Sequence, residues 1–300
     1  MRWRTLIAAG LALFLWAESL PAETLSLAGK WRFAMDQQNA GLAGKWFAAP
    51  LPGDTLIKLP GTMDDAKLGL PNPIPPSLAG LWRPVVYEGV AWYQRKIVIP
   101  ASWRGQRVTL FLERCRWVTQ AWLDGQPRGA AQDSLIAPHV HALGVGLAPG
   151  QHTLTLRVDN TPKIDLGGFV SALYGGTPGN LNGIVGRIEL RATPPVWLDD
   201  VEVYPNVEEK SALVRIRIGN ETGQAGSGTI EVAAKLERQP PTRHASDGAS
   251  HRAESRLGAP VSSRVAWDAH GGSAEIGISL GHQAPFWDEF HPALFRLTAT

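Results

Sequence analysis

His139 and His141 stand two residues apart in Pro138-His139-Val140-His141. On an extended segment that spacing turns both imidazoles to the same side. Two imidazoles on one side can share a metal, but a tetrahedral zinc needs further ligands and the run offers none, so no metal is expected. Ser134 lies five positions before His139 and invites a nucleophile-and-base reading. No Gly-x-Ser-x-Gly elbow surrounds it and no carboxylate can be assigned to orient the imidazole, which argues against a hydrolytic triad. Cys115, the single cysteine, sits in Leu112-Glu113-Arg114-Cys115-Arg116-Trp117 and reads as a small buried hydrophobe rather than a reactive thiol. The chain also holds twelve tryptophans, whose indole faces could stack on the apolar side of a sugar ring. Trp31, Trp92 and Trp122 fall in strand-like runs and are expected in a core, where burying a large ring is favourable. Trp82, on a long Pro-rich loop, is the tryptophan expected to face solvent or ligand.

The elements that must position these residues read as strands. Past the first twenty-odd residues helical periodicity is hard to find, whereas short alternating runs bounded by Gly, Pro and Asx recur. Over 107–113, Val108, Leu110 and Leu112 share one face while Thr109, Phe111 and Glu113 share the other. Leu154, Leu156 and Val158 alternate in the same way with Thr153, Thr155 and Arg157. The run 119–123 ends in Asp124-Gly125, a pair that tolerates the positive φ of a tight hairpin. Strands that each bury one face are satisfied by packing two sheets together, so the fold class is all-β. Two long irregular stretches, 61–89 and 161–183, are rich in Gly and Pro; loops of that length in a compact domain usually serve a function. Thr193-Pro194-Pro195 interrupts any strand and places a domain boundary, giving a first domain over 23–195 and a second over 196–300. The second offers strands at 212–218, 228–236, 262–267, 274–280 and 293–299, a number suited to an immunoglobulin-like sandwich. Its polar stretch 238–260 is expected to be a mobile insertion.

Charge narrows the partners. With 29 basic and 27 acidic side chains among 300 residues and no basic block, the chain shows no electrostatic footprint for nucleic acid or an anionic membrane. Neutral partners such as sugars fit better. Residues 1–22 read as an export signal: Arg2 and Arg4 supply the positive start, and the apolar run 6–16 is too short to span a bilayer comfortably. A mature chain beginning near Glu23 in the periplasm or outside the cell is expected, with no membrane association after cleavage. A lone cysteine cannot close an internal disulfide, so packed cores must supply stability.

Six motifs in sequence order resemble the front of glycoside hydrolase family 2 enzymes, the class of β-galactosidases, β-glucuronidases and β-mannosidases. They are Leu27-Ala28-Gly29-Lys30-Trp31-Arg32-Phe33; Leu59-Pro60-Gly61-Thr62-Met63; Ala91-Trp92-Tyr93-Gln94-Arg95 with Ile99-Pro100-Ala101-Ser102-Trp103-Arg104-Gly105; Val118-Thr119-Gln120-Ala121-Trp122-Leu123-Asp124-Gly125; Asn182-Gly183-Ile184-Val185-Gly186-Arg187-Ile188-Glu189-Leu190; and Ala284-Pro285-Phe286-Trp287-Asp288 with Pro292-Ala293-Leu294-Phe295-Arg296-Leu297. The resemblance implies a jelly-roll sugar-binding domain followed by an immunoglobulin-like domain, in an enzyme that hydrolyses terminal β-glycosidic bonds with retention. Two glutamates about 5–5.5 Å apart perform that reaction. In the family both stand on a barrel, which would follow Thr300, so no catalytic residue is expected in this chain and none of its activity alone.

The family's acid/base follows an asparagine, and Asn220-Glu221 occurs here; but Gly219-Asn220-Glu221-Thr222-Gly223 lies between two expected strands and reads as a turn. The resemblance implies that sugar contact comes from a carboxylate or amide on the loops after Asn160, for which Asp165, Asn180 and Asn182 are the candidates beside Trp82. Short polar side chains of this kind exchange hydrogen bonds with hydroxyls. The bland alternatives are that Asp165 is merely solvated and that Asn182 makes an Asn-Gly turn. No cofactor is implied. The expected partners are carbohydrate and the enzyme's own catalytic barrel; nothing fixes an oligomeric state. Two rival readings remain at this level: a free-standing carbohydrate-binding module, and a β-sandwich scaffold that docks to other protein.

Overall fold

The computed structural model describes residues 23–73, 75–76, 82–163, 181–238, 259–289 and 293–300. The expected export signal, Asp165, Asn180 and the body of the expected insertion at 238–260 lie outside them. Among the described residues there is no α-helix; two short 3-10 turns, Trp46–Ala48 and Ala101–Trp103, interrupt an otherwise all-β, antiparallel structure.

Two sheets built from residues 23 to 193 face each other. One orders Glu23–Ser26, Gly183–Thr193, Arg107–Cys115 and His139–Val145, with the short Gly61–Thr62 also on Gly183–Thr193. The other orders Gln126–Pro127, Val118–Leu123, Gly150–Asp159, Val90–Ile99, Gly29–Asp36 and Leu56–Leu59, with Gln132–Asp133 also on Val118–Leu123. Strict alternation explains the packing. Val108, Leu110 and Leu112 from the first sheet meet Leu154, Leu156 and Val158 from the second in one core, joined by Trp31, Tyr93, Ile97, Leu123 and Ile188. Asp124 (φ 51°) and Gly125 (φ 75°) turn the hairpin between Val118–Leu123 and Gln126–Pro127, a conformation that the Asp-Gly pair adopts at little cost.

Alternation predicts a solvated outer face for the second sheet, and here the structure differs. Thr155 and Arg157 are buried, because Trp92 and Trp122 stand on that face and Trp46, Phe47 and Leu51 fold over them. Phe47 stacks on Trp122 with ring centroids 5.1 Å apart, and Trp92 Nε1 donates to Asp36 Oδ2 at 2.9 Å. Residues 37–55 thus act as a flap that gives part of the sheet a second core. Trp31, Trp92 and Trp122 are all buried, Trp92 and Trp122 beneath this flap rather than between the sheets.

From Val196 onward the strands form two three-stranded sheets, Val196–Asn206, Ser211–Asn220 and Gly271–Ser279 in one, Val261–Trp267, Gly226–Arg238 and Ala293–Ala299 in the other. Val214, Ile216, Ile218, Ile230, Val232, Ile276 and Ile278 fill a separate core between them. Arg107 links the two groups of strands: its guanidinium lies 3.8 Å over the Trp197 ring and Nε donates to Glu221 Oε1 at 3.1 Å. Asn220 closes a turn, accepting from Thr222 N and Oγ1 and donating to Gln224 O and Asp268 O. Asn220-Glu221 is therefore a turn and a tether.

Candidate functional site

One end of the first sandwich gathers strand termini around a small rim. Gly61–Thr62 pairs with Gly183 and Ile184, Ile184 pairs with Cys115, and Trp117 N donates to Asp159 O at 2.7 Å. Gly183 has φ 147°, and a Cβ there would stand 2.5 Å from Gly61 O, so only glycine lets the two strands meet. This is the physical content of the Asn-Gly pair in the 182–190 motif.

Beneath the rim lies a network of buried amides and phenols. Asn182 is 1% exposed; its Oδ1 accepts from Tyr93 Oη at 2.8 Å, and Nδ2 donates to Gly89 O at 3.2 Å and Val158 O at 3.5 Å. Asn160 Oδ1 accepts from Gly89 N and its Nδ2 donates to Tyr87 O, both at 2.8 Å, while Tyr87 Oη donates to Val90 O at 2.6 Å. Burial pushes the Tyr93 phenol well above its ordinary value, so it stays a neutral donor. These bonds satisfy carbonyls and amides stranded where the strands end, which water would otherwise have to do.

Above this floor opens a cavity of about 210 Å³ lined by Thr62, Arg114, Cys115, Arg116, Leu135, Leu181, Gly183 and Val185. Arg114 and Arg116 flank Cys115, whose side chain is in the core. Burial lowers the Arg116 pKa and pushes the Cys115 thiol up, which leaves the sulfur protonated and inert. Beside Thr62, whose hydroxyl donates to Asp65 Oδ2 at 2.8 Å, Asp64 pairs with Arg83 at 3.0 Å. Burial, outweighing the arginine, raises the Asp64 pKa. None of the residues lining the cavity is a carboxylate. The rim can therefore bind, through guanidinium groups suited to carboxylate or hydroxyl oxygens, but its own lining offers no acid and nucleophile pair.

The residues expected to touch sugar separate here. Asn182 is spent inside the fold, holding the rim's floor. Trp82 is 42% exposed and adjoins Arg83, so it does reach solvent on the loop side. Asp165 and Asn180 lie outside the described residues. Arg114, Arg116 and Arg83 were not expected; the signal was present in Arg114-Cys115-Arg116, where a core cysteine between two arginines at a strand's end turns both charges outward.

The paired histidines have a different task. Thr119 Oγ1 lies 2.7 Å from His139 Nδ1 and 2.8 Å from His141 Nε2, and His139 Nε2 lies 3.1 Å from Ser134 O. A carbonyl only accepts, so His139 carries its proton on Nε2, takes the Thr119 hydroxyl proton at Nδ1, and leaves Thr119 to accept from His141 Nε2–H. The triad bridges the two sheets. Ser134 Oγ accepts instead from Ile136 N and Ala137 N.

Comparison with known proteins bears on this site. Residues 24–158 match the family model described as glycosyl hydrolases family 2, sugar binding domain. The β-glucuronidase of Pongo abelii is 25% identical over 248 residues, covering 73% of this chain and 36% of that protein. The human β-glucuronidase is 24% identical over 230 residues, covering 67% and 33%. Among solved structures, a β-glucuronidase from an uncultured Clostridium sp. superimposes with a TM-score of 0.62 at 18% identity, over 99% of this chain and 44% of that one. A Ruminococcus gnavus β-glucuronidase does so at 0.60 and 15% identity, over 93% and 42%. The chain thus spans less than half the length of the relatives it matches. Residues 24–158 are thus similar to the sugar binding domain of glycosyl hydrolases family 2.

Proposed function

We propose that this chain is the non-catalytic front portion of an exported retaining β-glycosidase whose substrate class is the β-glucuronides. The observation that carries the reading is the match of residues 24–158 to a family 2 sugar binding domain. Two things support the finer substrate class: relatives at 24–25% identity are named β-glucuronidases, and the rim cavity is lined by Arg114 and Arg116, groups that pair with a uronate carboxylate. The two catalytic carboxyl groups, about 5–5.5 Å apart, are assigned to a barrel beyond this sequence, with the rim at the mouth of its pocket. That barrel is the principal protein partner, and the apolar side chains of Val201, Val203, Tyr204, Phe286 and Trp287, exposed on the second sandwich, suit contact with it. Export rests on Arg2, Arg4 and the apolar run 6–16, and predicts a mature amino terminus near Glu23 in the secreted protein.

Calorimetry of the purified chain against glucuronate, galactose and mannose tests the reading. Half a pocket holds no monosaccharide tightly, so no saturable heat is expected at sugar concentrations up to about 10 mM. Saturable binding of neutral galactose or mannose would contradict the proposal and favour a free-standing carbohydrate-binding module.

A further inference from the structure

The outer face of the second sheet carries a row of cations away from the rim. Lys30 stands directly opposite Lys58, and Arg32 opposite both Leu56 and Gln94. Their neighbours in sequence, Trp31, Phe33, Ile57 and Leu59, fill the core, so Lys30, Arg32 and Lys58 project outward. Lys96, also exposed, continues the row on the next strand, two residues on from Gln94. Strands lie about 4.8 Å apart, so Lys30 and Lys58 stand side by side, with Lys96 just beyond the Arg32–Gln94 pair on the third strand. Like charges placed opposite each other destabilise a sheet.

Elsewhere this protein pairs such positions with opposite charge. Arg215 faces Glu275 at 2.6 Å in register, Arg217 reaches Asp199 at 2.7 Å, and Arg187 reaches Glu113 at 2.8 Å. Lys30 and Lys58 make no ion pair with any described residue.

Beside this row lies a cavity of about 580 Å³, larger than the one at the rim. Lys30, Arg32, Arg95 and Lys96 line it, and so does an apolar wall from Phe47 to Pro50. Asp124 is its one carboxylate, and that is bound by His152 Nδ1 at 2.6 Å and Thr153 N at 2.8 Å. The wall is fixed in place: Gln94 donates to Ala49 O at 2.8 Å and accepts from Leu51 N at 3.3 Å, and Phe47 stacks on Trp122.

We propose that this cavity is a second glycan site, which takes a carboxylate-bearing oligosaccharide: its acid groups at Lys30 and Lys96, beside Arg32, whose Nη2 already donates to Gly53 O at 2.6 Å and pairs with Asp54 at 3.4 Å, and a sugar face against the Phe47 to Pro50 wall. The concavity and apolar wall favour a sugar acid over a long polyanion, which needs many contacts spread along a track. The site is separate from the rim. Lys96 lies six residues along its strand from Val90, about 20 Å away.

The test is calorimetry of the purified chain at low salt with trigalacturonic acid, its trimethyl ester and tripolyphosphate. Saturable binding of the acid with a Kd below about 1 mM is expected, weakened at least about tenfold in Lys30→Gln/Lys96→Gln, unchanged in Arg264→Gln on the other sandwich, and absent for the ester. All substituted side chains are at the surface, and unaltered thermal melting confirms that each variant folds. No saturable binding of the acid, equal binding of the ester, equal binding of tripolyphosphate, or indifference to Lys30→Gln/Lys96→Gln would each overturn the proposal. Because the probes carry no glucuronate, failure here leaves the β-glucuronide reading of the rim untouched, and the reverse also holds.

Discussion

Asn182 is the residue on which the rim's geometry turns. Its amide joins Tyr93 to the carbonyl of Gly89, just before the same strand, and to that of Val158 on the neighbouring strand. Asn182→Ala strands a buried phenol and two carbonyls, and a loss of about 2–4 kcal/mol is expected in chemical denaturation. The histidine triad adds a pH dependence. Burial lowers the pKa of His139, and lowers that of His141 to about 4. In the unfolded chain both titrate near 6.5, so between that pH and the folded values the unfolded state binds more protons. Stability should be fully present above about pH 6.5 and should fall as pH drops toward 4, by up to about 3 kcal/mol for His141. Protonation of His139 at Nδ1 would also remove the acceptor of the Thr119 hydroxyl proton. Denaturation midpoints measured across this range should show the decline, and His139→Gln/His141→Gln should flatten it. The spacing of the two histidines made their shared direction legible in the sequence, but not their shared partner, since Thr119 sits on a strand of the opposite sheet.

Among the elements, strands were readable because each buries alternate positions. The expected run 293–299 coincides with Ala293–Ala299, and 107–113 falls within Arg107–Cys115. What alternation could not reveal is which strands become neighbours. The flap over Trp92 and Trp122 and the cation row both depend on cross-strand register, which no local pattern encodes. Trp92 has its ring against Trp46 and Trp122 and its Nε1 on Asp36, so Trp92→Ala should cost about 3–5 kcal/mol and loosen residues 37–55 to protease. At the row itself the sign reverses. Lys58→Glu places an opposite charge across from Lys30, and a gain of about 0.2–1 kcal/mol in thermal denaturation is expected, with acidic-glycan binding weakened. That trade of stability for binding is what the proposed acidic-glycan site predicts for Lys30 and Lys58.

For the whole molecule, the two sandwiches divide the work. The first provides the rim and the basic cavity; the second has its own core and is tied to the first through Arg107, Trp197 and Glu221. The family resemblance was legible because its motifs are structural: Gly183 allows two strands to touch, Asp124-Gly125 turns a hairpin, and Trp31 and Trp92 fill cores. The same reason hid the site: Arg114 and Arg116 of the rim lie between those motifs, and Lys30, inside the first of them, meets Lys58 only through cross-strand register. The central claim is that this chain binds and borders a reaction whose bond-breaking acids lie elsewhere. Hydrolysis of an aryl β-glucuronide by the purified chain, at enzyme in excess of substrate, tests it most directly. No release above the uncatalysed background is predicted; release that one Asp or Glu substitution within residues 23–300 abolishes would contradict it.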